Sequence, residues 1–253
     1  MIKSEDVDYL FNPLSIELQY RMSEFSKDFE QRPGYVAGGY NHELLNEQEK
    51  YVTRIFRIQR NLVDTADQIR YIRIFLNRYP FRKMYLENGI SQLEYIRYHT
   101  EGLYHKVHTV LEIMRLLVNE VYQLNIPVKD CSWLRLCKHV SKKAEPMKQM
   151  DVYYKTFKNL IDLRHISSHR GIFNDDEMDE IELYYGNAFS KYEARGYVFE
   201  NLNLNQSLLR YKQREYKNKR VALVDQVKKV NGELLDKFLT SLHTEFTRQY
   251  FNK

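Results

Sequence analysis

One stripe of apolar residues constrains this chain more than any other feature. Leu93, Ile96, Thr100, Leu103, Val107, Val110, Met114, Leu117, Val121 and Leu124 follow one another in steps of three and four, with Thr100 the one polar member. Such a series lies along one face of an α-helix and on no face of a strand. It predicts a single helix of about nine turns, stopped by Pro127. A helix with so long a seam must bury it against other helices.

The remaining sequence supplies them. Ile55, Ile58, Leu62, Ile69, Ile72 and Leu76 recur at helical spacing; Asn46 with Glu49 three later reads as the start of that helix and Pro80 as its end. A short helix is predicted near Ile16–Phe29, followed by a loop in QRPGYVAGGYN. Further helices are predicted over Ser132–Lys143 and from about Met147 to Ser168, the latter closed by Gly171. The segment NDDEMDEIELYYG opens another, with Asn174 as cap and acids in the first turn. Leu223, Val227, Val230, Leu234, Phe238, Leu242 and Phe246 mark a long C-terminal helix beginning near Gln206. With 9 Gly, 5 Pro and no strand signal, the expected fold is an all-α antiparallel helical bundle. Residues 1–85 are expected to form a helical N-terminal extension, and 86–253 the bundle, with an acidic insertion near 174–200.

Composition narrows the setting. Hydrophobic residues make up 43% and charged residues 29%, as in soluble globular chains. The opening MIKSEDVDYLF lacks the basic and apolar regions of a signal peptide, and no apolar run is long enough to span a membrane. Cys131 and Cys137 form no CxxC pair, which argues against a cysteine zinc site and suits a reducing compartment. A cytoplasmic location without membrane partners is therefore expected.

Chemistry concentrates in LIDLRHISSHRGIF. Arg164 follows Phe157, Leu160 and Ile161 at helical spacing, so a guanidinium continues an apolar stripe. That placement is costly unless the charge is paired or faces a cleft or a partner subunit. His169 lies five residues on. The pair suits RNA cleavage by internal attack: an imidazole can take the 2′-hydroxyl proton, and a permanently charged guanidinium can hold the phosphorane oxygens. Neither role needs a metal. An Arg near a helix C-terminus also simply answers the dipole. Supporting candidates are His165, Ser168, Arg170, Arg97 and Glu101. Arg97, Glu101, His105, His108 and Glu112 share one face of the long helix; they could hold a divalent metal, orient the catalytic His, or form a solvated face. His165 and His169 are spaced like metal ligands but lack the HExxH glutamate. No GxxxxGK, GxGxxG or GxSxG occurs, and no cofactor or bound metal is expected.

Residues 210–229 carry eight bases against Glu215 and Asp225. Arg210, Lys212, Arg214, Lys217, Lys219 and Arg220 are the candidate RNA-binding residues, unless they are only a solvated helix face. The acids Asp175, Asp176, Glu177, Asp179, Glu180 and Glu182 follow the Arg–His segment closely. They are expected either to dock on the basic helix and restrain RNA binding, or merely to satisfy a helix start.

The Arg164–His169 spacing, with polar His165 directly after the Arg, resembles the HEPN superfamily, whose mark is Arg, four to six residues, then His. The long preceding helix at 91–124 fits the same pattern, and the resemblance covers about residues 90–250 apart from the acidic insertion. It implies a four-helix bundle that dimerises so that two Arg–His pairs share one cleft. It also implies metal-independent ribonuclease activity in toxin–antitoxin, abortive-infection or other antiviral defence, with RNA as substrate and an antitoxin or other regulatory protein as partner. Some members have lost catalysis and only bind RNA, nucleotide or protein, so a non-catalytic helical binding module is the alternative. Gly171 stands where members modified by a nucleotidyltransferase carry Tyr, so the resemblance does not extend to that modification.

Overall fold

The computed structural model describes residues 11–79, 83–170, 175–184 and 206–251; at 86, 168–170, 183–184 and 206–207 it describes the backbone alone. The helices are α1 (Pro13–Ser26), α2 (Glu47–Asn77), α3 (Lys83–Glu87), α4 (Gln92–Val121), α5 (Trp133–Leu136), α6 (Glu145–Arg170), α7 (Asp176–Tyr184) and α8 (Gln206–Phe251), with short 3-10 turns between some of them. No strand occurs among the described residues, so the fold is all-α. No helix among them is long and apolar enough to cross a membrane.

Local chemistry accounts for several helix ends. At α2 the expected reciprocal cap forms: Glu49 N–H donates to Asn46 Oδ1 and Asn46 N–H to Glu49 Oε2, each at 2.9 Å. Arg32 grips the same carboxylate, and its hydrogen bonds hold Glu49 below the usual carboxylate range. α1 begins earlier than predicted, because the Asn12 side chain accepts from Ser15 N–H at 2.8 Å and Pro13 is pre-set for the first turn. α4 stops short of Pro127. Gln123 turns left-handed at φ 54°, Leu124 N–H reaches Asn119 O at 3.0 Å, and Gln123 N–H reaches Glu120 O at 3.0 Å. The buried Asn119 amide then bonds both polar groups of the Ile126 backbone, at 2.9 and 3.1 Å. α5 is much shorter than the predicted Ser132–Lys143 helix. Beyond Leu136 the chain closes in successive turns, such as Lys138 N–H to Arg135 O at 3.1 Å, which bury Leu136 and Val140. α6 runs on through Arg170 rather than ending at Ser168. Pro80, Gly171 and Asn174, assigned ends and a cap from the sequence, lie outside the described residues, as does most of the acidic insertion beyond 184.

The chain divides into two compact units. The first comprises Met1–Ala66, Thr109–Phe157 and Lys229–Lys253. Its core joins Leu14 and Leu18 of α1, Tyr51 and Ile55 of α2, Met114 and Leu117 of α4, Tyr153 of α6, and Phe238 and Phe246 of α8. Two buried hydroxyls are satisfied within it: Tyr51 donates to Val121 O and Tyr153 to Asn231 Oδ1, both at 2.9 Å. The second unit comprises Asp67–His108 and Lys158–Lys228. There the first half of the α4 stripe, Leu93, Ile96, Thr100, Leu103 and Val107, is buried with Ile69 and Ile72 of α2, Ile161 of α6, Met178 and Ile181 of α7, and Tyr216 and Val224 of α8. Thr100 satisfies its hydroxyl on Ile96 O at 2.8 Å, which is how the stripe tolerates its one polar member.

A candidate Arg and His site on two helices

All the residues of the candidate site belong to the second unit. The polar row predicted on α4 does not act as one group. Glu112 falls in the first unit and pairs with Arg115, one turn on. Arg97 and Glu101 form an intrahelical pair at 3.5 Å. His105 and His108 remain; His108 meets His165 of α6, and His105 feels the charge of Arg164.

On α6, Ile161 anchors the helix by burial and Arg164 follows one turn later, half-buried. The Arg164 Nε is shielded from solvent and has no hydrogen-bond partner among the described residues. An unmade bond of this kind costs roughly 1–3 kcal/mol. His105 on α4 lies within reach of the guanidinium charge. Partial burial and then the Arg164 charge hold this imidazole below its ordinary value, so it is neutral at neutral pH. His165 meets His108 edge-on, ring centroids 5.8 Å apart at 78°. The result is a fixed cation among imidazoles, a set able to hold an anion and to exchange a proton beside it.

Ser168, His169 and Arg170 lie on α6 by backbone, and their side chains are outside the described residues. Because the helix continues to Arg170, position 169 lies one turn beyond 165 on the same face. Relative to Arg164 it is rotated by about 140° and raised by about 7.5 Å. Among the described residues no group of three or more His, Cys, Asp or Glu is placed to hold a metal ion.

The basic stretch lies on α8. Arg210 and Arg214 are exposed and Lys217 is half-exposed. Lys212 is 3.7 Å from Glu215. Lys219 and Arg220 are engaged with the acidic segment: Lys219 Nζ lies 2.7 Å from Glu177, and Arg220 Nη2 donates to Asp175 Oδ2 at 2.7 Å. The acidic run thus meets the basic helix through Asp175 and Glu177, while Asp176, Asp179 and Glu180 are exposed. Asp175 caps α7, accepting from Met178 N–H at 3.2 Å. The same carboxylate accepts from the buried Tyr216 hydroxyl at 2.6 Å, and the Arg220 guanidinium lies 4.6 Å from the Tyr216 ring centre. Burial, with the Asp175 bond second, drives the Tyr216 phenol far above its ordinary value.

Sequence reasoning placed His105 and His108 in a helix-face row that could orient the catalytic His; the structure brings His108 against His165 on α6, a pairing the local spacing does not give. A match to known proteins bears on the same region. The family model described as Cthe2314-like HEPN matches residues 47–209. No curated protein and no solved structure matches the chain. The family match takes in more than half of the sequence, from the start of α2 to the start of α8 and including the Arg164 segment, and the chain belongs to the Cthe2314-like HEPN family.

Proposed function

We propose that this protein is a metal-independent RNA endonuclease that works as a homodimer in a toxin–antitoxin or abortive-infection setting. HEPN membership agrees with a ribonuclease or defence role. The observation that carries the finer reading is the half-buried Arg164 guanidinium beside neutral His105, with its Nε unpaired among the described residues. A phosphodiester oxygen is the acceptor assigned to this guanidinium.

In the reaction, the ribose 2′-hydroxyl attacks the adjacent phosphorus as an imidazole takes its proton. The charge on the phosphorane is held by Arg164. The 5′-oxygen then leaves with a proton, giving a 2′,3′-cyclic phosphate and a 5′-hydroxyl. His169 is assigned the proton transfer, with His165, Ser168, Arg170, Arg97 and Glu101 in support. The rotation of about 140° between positions 164 and 169 on one continuous helix favours a cleft closed by two copies, each supplying what the other's face lacks. Arg210, Lys212, Arg214 and Lys217 would track the RNA backbone. Lys219 and Arg220 are assigned to the same surface, but they are already engaged with carboxylates.

The test is cleavage of total RNA in EDTA by wild type, Arg164→Ala and His169→Ala. Wild type should produce cyclic-phosphate ends. Each variant should lose at least about 100-fold, the usual scale for one acid–base or charge-stabilising group. Equal cleavage by all three, or none by a folded wild type, would overturn the proposal.

A further inference from the structure

The second unit holds a cavity of about 460 Å³ that shares Glu101 and His105 with the proposed reaction site and is lined besides by Tyr71 and Phe75 of α2 and Tyr98, His99 and Lys106 of α4. We propose that it is a base-stacking subsite for single-stranded RNA, taking a nucleobase next to the phosphate held by Arg164. This rests on the reading of the protein as an RNA-cleaving enzyme.

The aromatic wall is the first support. Tyr98 is 73% exposed and Phe75 46%, with Tyr71 and Ile74 also exposed on this stretch of α2. So much apolar ring surface in water on one unit marks a contact site. The rings are braced for the purpose. Phe75 and His99 are stacked at 5.0 Å and 23°. Behind them Tyr95 meets His99 edge-on at 4.5 Å, and Tyr79 and Tyr85 pack against Tyr95 in turn. A base laid on this wall would extend an existing stack without ordering a flexible side chain.

Polarity is the second support and separates a nucleotide from an apolar protein segment. The rim carries Lys106 and His105, and His105 lies within the field of Arg164. His105 thus lines the cavity and lies within reach of the Arg164 charge. The one carboxylate in the wall, Glu101, is offset by Arg97 at 3.5 Å. Aromatic faces ending in cations are the arrangement that single-stranded nucleic acids use, with bases on rings and phosphates on charge. The volume is in the range of small-ligand sites.

The experiment uses full-length protein and a short 2′-O-methyl RNA containing 2-aminopurine, which cannot supply the attacking hydroxyl. Wild type should quench the 2-aminopurine on binding. Tyr98→Ala and Phe75→Leu should abolish the quenching and weaken binding about tenfold, the loss expected for one stacked base. The salt dependence should stay unchanged, because no phosphate contact is removed. If wild type binds and cleaves RNA but both variants match it in quenching and affinity, the subsite is refuted and the enzymatic reading survives. If the variants instead turn a dimer into a monomer in sedimentation while quenching persists, the wall is a contact between copies and the subsite is likewise refuted. A wild type that neither binds nor cleaves RNA overturns both.

Discussion

Replacing Asp175 with Ala tests the polar joint between α7 and α8. The carboxylate caps α7, accepts the buried Tyr216 hydroxyl at 2.6 Å and pairs with Arg220 at 2.7 Å. Loss of the cap costs about 1 kcal/mol, and an orphaned Tyr hydroxyl about 1 kcal/mol more. Stranding a fully buried guanidinium costs roughly 3–5 kcal/mol. Arg220 keeps 19% side-chain exposure and a second carboxylate, Glu177, at 4.0 Å, so the lower part of that range is the better figure. Because the three losses share one group they do not add fully, and about 3–4 kcal/mol in total is expected. In a chain of this size that lowers Tm by about 10 °C. Thermal and urea unfolding followed by circular dichroism will measure it. Asp175→Asn, which keeps a capping oxygen, should lose about half as much. The exposed neighbour Asp176→Ala should lose much less than either. If Asp175→Ala melts within about 2 °C of wild type, equivalent to less than about 1 kcal/mol, the joint does not stabilise the fold and the reasoning fails.

Two other perturbations probe different parts of the molecule. Asn119→Ala removes both partners of the Ile126 backbone and should destabilise by about 2–4 kcal/mol in urea titration; a loss under about 1 kcal/mol would show that water replaces them. His99 is held below its ordinary imidazole value by burial among Phe75, Tyr95 and Tyr98. The unfolded chain therefore takes up this proton first as pH falls, so the stability from the neutral ring is complete above about pH 6.5 and is lost as pH drops through the lower folded value. His99→Phe should narrow the difference in unfolding free energy between about pH 7.5 and 5.5; an unchanged difference would remove His99 from the acid response.

Features that depend on neighbours within a turn or two were legible in the chain alone. The three–four stripe dictated α4, since that spacing aligns side chains only on a helix, and nine of its ten members, through Val121, are buried, the remaining Leu124 lying past the helix end. The Asn46–Glu49 cap was legible because both of its bonds span three residues. The Arg–x4–His spacing was enough to suggest a HEPN chain. Helix ends were less legible. Gln123 in a left-handed turn stopped α4 before Pro127 could, and the side chain supporting that turn reaches across seven residues. What surrounds Arg164 was not written locally at all. His105 lies 59 positions earlier on α4, and its neutrality comes from burial and from a charge on α6. In the same way, Asp175 reads as one acid among six, and only packing against α8 separates it from its exposed neighbours. Periodicity says that a face will be buried, but not which face meets it. The site depends on that second choice, because the field at a guanidinium or an imidazole is set by whichever groups the packing brings within a few ångströms.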